Sequence, residues 1–312
     1  MKLYLAFFRL VRWPNLVFIA ITQCLFVYAI VHPILLSADI KPVIHGAYFL
    51  LLVLSSVLIA AAGYIINDYF DLNIDLINKP DKLVVEKIIN RRWVILWHLL
   101  FSALGIGIGF YIDIFTRVRF LGLANTACVL LLFIYSISLK KKLLYGNIVI
   151  SLLTAWVILV VTWCEASNLL KHADIGSYTE KITRITFLYA GFAFIISLIR
   201  EVVKDMEDIE GDRRYGCHTM PIMWGQNASK VFVAVWLIVL IASLAIVQAY
   251  VLQFQWWWSA AYCILFTVLP LFYIFRKLFS AKNSADFHKL SSLIKWVMFT
   301  GILSMIFFRI YL

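Results

Sequence analysis

Apolar runs of about 20 residues, the length that crosses a bilayer as an α-helix, recur along the whole of this 312-residue chain. With 63% hydrophobic residues, 14% charged residues and a mean hydropathy of +0.92, the chain lies far outside the soluble globular range. The sequence therefore predicts an all-α, polytopic membrane protein. About nine spans are expected, near 15–36, 43–67, 93–112, 119–139, 145–164, 185–204, 229–250, 257–275 and 290–311. The polar stretches between them are short, so residues 1–312 are expected to form a single integral-membrane domain. The N-terminal stretch lacks a small-residue cleavage site after a short apolar core, which argues against a removed signal peptide.

Charge supplies the orientation. Twenty of the 28 Lys and Arg residues fall on one side of the predicted spans, including Arg9, Arg12, Arg91, Lys140, Lys141, Lys142, Arg213 and Lys282. Positive residues accumulate in cytoplasmic loops, so the N-terminus and the 68–92 and 205–228 segments are expected at the cytoplasmic face of the cell (inner) membrane. An odd number of spans places the C-terminus outside. The net charge of +11 is topogenic bias plus attraction to anionic headgroups, with no compact basic domain for nucleic acid. The five cysteines are scattered, without ligand or disulfide spacing, and are expected to act as small hydrophobes. The six histidines are dispersed and expected to be structural or interfacial, with His218 near enough to the second acidic string to touch phosphate. Trp256-Trp257-Trp258 is expected to anchor a span at the interface.

The acidic residues are concentrated. Of 17, 11 lie within 68–86 and 201–212, although carboxylates are costly in or beside a membrane. Asp68, Asp71 and Asp75 form one DxxDxxxD string; Asp205, Asp208 and Asp212 form another. At i, i+3 and i+7 each trio shares one helical face, with Asn67 aligned to the first and Glu201 one turn before the second. Three like charges on one face need a neutralising partner. Magnesium fits, being a hard cation held by one or two carboxylates with water and phosphate oxygens. Two facing strings could hold Mg²⁺ ions bridged by a diphosphate. Lys79, Lys82, Arg200, Lys204, Arg213 and Arg214 are spaced to take phosphate oxygens. An EF-hand is excluded, since neither string has the central Gly and terminal Glu of its twelve-residue loop.

The string Asn67-Asp68-Tyr69-Phe70-Asp71-Leu72-Asn73-Ile74-Asp75 resembles the NDxxDxxxD motif of the UbiA superfamily of intramembrane prenyltransferases. The second string resembles that family's second aspartate motif. Leu10-Val11-Arg12-Trp13-Pro14-Asn15 is similar to its N-terminal Arg/Asn segment. Tyr135-Ser136 with Lys140–Lys142 and Gly146-Asn147 is similar to its mid-chain signature, and Thr219-Met220-Pro221-Ile222 to its Thr-Leu-Pro-Ile. Ile77-Asn78-Lys79-Pro80-Asp81 is similar to the stretch after the first motif, but the usual Pro-x-x-x-Gly continuation is replaced by Lys82-Leu83-Val84-Val85-Glu86.

The resemblance implies nine helices around a central cavity and a Mg²⁺-dependent enzyme with a prenyl diphosphate donor. It implies that Asp68, Asp71, Asp75, Asp205, Asp208 and Asp212 hold metal and are catalytic. Asn15, Asn67, Lys79, Tyr135, Lys140, Asn147, Arg200 and Lys204 are implied to bind substrate. Arg200–Asp212 looks most like the branch that transfers a geranylgeranyl group to geranylgeranylglyceryl phosphate. Related strings occur in branches with aromatic or chlorophyllide acceptors, so an aromatic quinone precursor remains open as acceptor. A divalent-cation transporter is the alternative from another class, and for that the carboxylates belong near the midplane on broken helices.

Overall fold

Hydrocarbon offers no hydrogen-bond partners, so a buried apolar run must satisfy its own backbone, and the helix does this. The computed structural model describes residues 2–78, 84–171 and 176–311, and among these no strand forms beyond an isolated bridge at Val85 and Ile89. Each expected span is a helix: α1 (Trp13–Ser37), α2 (Gly46–Asn78), α3 (Arg91–Phe115), α4 (Leu121–Ile137), α5 (Tyr145–Lys171), α6 (Gly176–Glu207), α7 (Gly225–Leu252), α8 (Trp257–Ser280) and α9 (Ser284–Tyr311). Eight are long and apolar enough to cross a membrane; α4, with 17 residues, is shorter. The protein is membrane-embedded. An additional helix, Lys2–Leu10, precedes α1 and leaves Tyr4, Leu5 and Phe8 exposed.

The longest helices, α2 and α6, are the central ones. α2 packs against α1, α3 and α4, and α6 against α5, α7 and α9, so the bundle closes around the two elements that carry the acidic strings. The core gathers in three clusters: one around Phe26, Ile30, Ile112 and Ile158, one along α6, α7 and α9, and one where Leu10 and Val11 meet α2 and Val94. Large apolar residues such as Leu50, Leu99, Ile246 and Phe272 face outward, as lipid contact allows.

Two prolines shape the bundle. α1 and α8 each contain a π-helical turn, Phe26–Val31 and Ile264–Val268, followed two residues later by Pro33 and Pro270. Proline cannot donate to the carbonyl four residues before it, and its ring crowds that carbonyl. The group freed by Pro270 is the Phe266 carbonyl, and the Thr300 hydroxyl of α9 donates to it at 2.9 Å. The kink is thus stitched to the neighbouring helix.

Candidate active site

The two acidic strings come together. A cavity of about 830 Å³ opens between α1, α2, α4, α5, α6 and α9, and its wall includes Asp68, Asp71, Asp75, Asp205, Asp208 and Asp212. Asn15, Asn67, Tyr64, Tyr135, Lys140, Arg200 and Lys204 also line it. Asn147 reaches the same place through Asp205, donating to its carboxylate at 2.8 Å. Lys79 and Lys82, which the sequence places among the phosphate-binding cations, lie outside the described residues.

The first string keeps the expected geometry, because all three aspartates lie on the uninterrupted α2. The second does not. α6 ends at Glu207, Asp208 departs from helical geometry (φ −99°, ψ 10°), and a short helix, Ile209–Arg214, carries Asp212 onward. The cause is across the cavity, at the end of α2. Asn78 donates to the Asp208 carbonyl at 3.0 Å and accepts the Gly211 N–H at 2.8 Å, clamping the bend. A Cβ at Gly211 would lie 2.5 Å from the Asn78 amide oxygen, so this approach requires glycine.

Local chemistry holds the carboxylates apart. Arg12 lies 2.6 Å from Asp68, and Lys140 lies 2.6 Å from Asp71 and 3.2 Å from the Asn67 oxygen. Asn67 in turn donates to Asp71 at 2.7 Å. Arg12 stands in the left-handed region (φ 51°, ψ 51°), which costs a non-glycine residue about 1 kcal/mol. Its bond to Asp68 and its stacking over Tyr64, 5.2 Å from the ring centre, offset that strain. The Asp68 carboxylate raises the Arg12 guanidinium further above its ordinary value, so it stays charged.

Lys140 is carried by the Leu139–Lys141 turn, which lies flat on the start of α5 because residue 146 is glycine. A Cβ there would fall 2.7 Å from the Lys140 Cα. Glu201 accepts from Arg200 at 3.0 Å and from Lys204 at 3.1 Å, and it lines the cavity as their counter-ion. Cys217 closes the wall nearby; burial pushes its thiol up to about 11, so it is neutral at physiological pH.

Some expected contributors stand elsewhere. Arg213 and Arg214 are exposed, with Arg214 paired to Glu210, because the Ile209–Arg214 helix turns its basic face to solvent. His218 is exposed and meets Lys141 only through its backbone N–H. His98 is buried, with Nδ1 3.0 Å from the Ala62 carbonyl, a structural role. The Trp triplet divides: Trp257 and Trp258 are exposed, whereas Trp256 stacks on Tyr311 and lines a second, apolar cavity. That cavity, about 200 Å³, shares Phe18, Ile19, Thr154, Val157 and Met298 with the first.

Spacing alone did not reveal Asn78, Gly211 or Lys295. Lys295 had one visible signal, a lone cation inside an apolar span.

Magnesium fits this donor set. The groups are carboxylates and side-chain amides, hard oxygen donors without thiolate or imidazole. Among the described residues no three Asp, Glu, His or Cys side chains converge as a protein-only cage. A cation that takes one or two carboxylates and completes its shell with water and phosphate oxygens matches that arrangement.

Solved structures share the fold across nearly the full chain. A digeranylgeranylglyceryl phosphate synthase superposes with a TM-score of 0.59 at 22% identity, covering 98% of this chain and 99% of that one. A UbiA homologue from Archaeoglobus fulgidus bound to DMAPP and Mg²⁺ gives 0.59 at 15% identity, covering 96% and 98%. Among curated relatives, the digeranylgeranylglyceryl phosphate synthase of Methanothermobacter thermautotrophicus is 33% identical over 220 residues, 70% of each chain. That of Methanosphaera stadtmanae is 27% identical over 245 residues, 78% of this chain and 81% of its own. The model of the UbiA prenyltransferase family matches residues 24–303, and with both aspartate strings on one cavity wall the chain belongs to that family.

Proposed function

We propose that the protein transfers a geranylgeranyl group from geranylgeranyl diphosphate to the free hydroxyl of geranylgeranylglyceryl phosphate, releasing diphosphate. The observation that carries this is the single cavity with six aspartates at its head and an apolar annex beside it. The curated relatives aligned over 70% or more of this chain are digeranylgeranylglyceryl phosphate synthases, which supports the acceptor.

Asp68, Asp71, Asp75, Asp205, Asp208 and Asp212 would hold Mg²⁺, which when bound neutralises the charge that develops on departing diphosphate. Asn67 orients Asp71, and Asn147 orients Asp205. Lys140, Lys204 and the chain's Lys79 supply cations for phosphate oxygens. Phe18, Ile19, Val157 and Met298 line the way to the apolar annex, so the prenyl tail lies among them while its C1 stays at the aspartates. The C1–oxygen bond to diphosphate breaks, and the acceptor oxygen forms an ether bond to C1 as its proton passes to the departing diphosphate. Tyr135, on the cavity wall, and the closing helices keep water from the allylic cation. Positive-inside bias supports a cytoplasmic position for this head. A transport pathway fits less well, because the first string rides on an unbroken helix and the break at Asp208 comes at the end of α6 rather than within it.

Diphosphate release tests the proposal. With geranylgeranyl diphosphate and Mg²⁺, release is expected to rise when geranylgeranylglyceryl phosphate is added and to stop with EDTA. Release driven by hydroxybenzoate or naphthoate, and not by the glycerol phosphate lipid, would transfer the assignment to an aromatic acceptor.

A further inference from the structure

Lys295 is a cation within α9 that the diphosphate chemistry above does not use. It lines the main cavity, donates to the Asn15 side-chain oxygen at 2.6 Å and sits 5.3 Å from the Phe18 ring centre. No carboxylate pairs with it among the described residues. The charged groups that act on it are Arg200, Arg12 and Lys204, all cations. Asp68 holds Arg12, and the one carboxylate of Glu201 serves both Arg200 and Lys204. The Arg200 Nε is buried and lacks a hydrogen-bond partner. An unpaired ammonium inside a membrane span marks a ligand path by default. Beside it lies an unused guanidinium donor, on an Arg200 that shares its one carboxylate with Lys204.

We infer that Lys295 and Arg200, between α1, α6 and α9, form a second anion site that takes the phosphate monoester of the acceptor lipid; this rests on the transfer reading above. A phosphate monoester carries about −1.5 to −2 at pH 7 with three acceptor oxygens, which suits an ammonium without a carboxylate pair among the described residues and the free Arg200 donor beside it. A lone carboxylate on an aromatic acceptor brings half the charge. The site is built on different helices from Lys140 and Asn147, which attend the aspartates from the α4–α5 side. Lys295 and Arg200 therefore serve the acceptor, while Lys140 and Lys204 stay with the diphosphate.

The test uses full-length protein in lipid nanodiscs with Lys295→Met, which keeps the Phe18 contact, and Lys295→Arg, which keeps the charge. Losing one charge-assisted contact predicts an acceptor KM raised about tenfold or more in K295M, with donor KM within about twofold. K295R is expected to restore most of the acceptor affinity. Geranylgeranylglycerol, which lacks phosphate, is expected to react equally in wild type and K295M. Phosphatidylglycerol, a phosphodiester, is expected not to compete. Binding of geranylgeranylglyceryl phosphate in EDTA is measured without turnover. Weaker binding by K295M upholds the site even if the transfer reading fails; binding equal to wild type overturns the site even if transfer is observed. A rise in donor KM instead, or competition by phosphatidylglycerol as strong as by the acceptor, also overturns the assignment.

Discussion

At the scale of single residues, the site is a set of carboxylates, each already engaged. Arg12 and Asn147 hold Asp68 and Asp205, and Lys140 holds Asp71. Those partners make the aspartates tolerable in a membrane protein before substrate arrives. Removing one aspartate therefore costs function more than folding. Asp68→Ala and Asp208→Ala are each expected to lower kcat at least about 100-fold, the scale of losing one preorganised electrostatic contact. Their thermal unfolding in detergent should stay within a few degrees of wild type. Near-normal prenyl transfer by either variant would remove the aspartates from the mechanism. The six aspartates were legible in the sequence because spacing alone puts them on helical faces. Lys295 was not, since its nearest partner, Asn15, lies 280 positions away. Arg12 stood in the N-terminal motif, but its tie to Asp68 depends on a left-handed turn that spacing does not show.

At the scale of elements, the join between α2 and the end of α6 decides how the two strings face each other. The sequence implied two equal helical faces, and the structure bends the second at Asp208. No local propensity demands that bend; the Asn78 side chain imposes it from another helix. Gly211→Ala should push Asn78 away, cost about 1–3 kcal/mol and reduce turnover at least tenfold. Combined with Asn78→Ala, the same change should add little, because the clash and the clamp are one interaction. Full additivity in a double-mutant cycle read by stability and kcat would show that Gly211 acts through something else.

At the scale of the whole molecule, the long apolar helices among the described residues fall where the apolar runs lie, since length and apolarity decide helix formation in lipid. What surrounds the cavity was less legible. Lateral packing of α2 and α6 at the centre depends on many contacts between distant residues, none visible as a period. The π-helical turns were hidden for a related reason: Pro33 and Pro270 were visible, but the Thr300 bond that stitches one of them was not. Orientation has its own check. In a background without native cysteines, a membrane-impermeant maleimide should label Lys282→Cys only from the cytoplasmic side and Gln253→Cys only from outside. The reverse pattern would invert the topology and place the aspartates outside.

The most direct test is the mass of the product. Protein in detergent with Mg²⁺ and geranylgeranyl diphosphate, offered geranylgeranylglyceryl phosphate together with hydroxybenzoate, naphthoate and homogentisate, should yield one new species. That species should be geranylgeranylglyceryl phosphate bearing a second geranylgeranyl group, absent when Asp68 or Asp208 is replaced by Ala. A prenylated aromatic acid with the glycerol phosphate lipid unchanged would contradict the account.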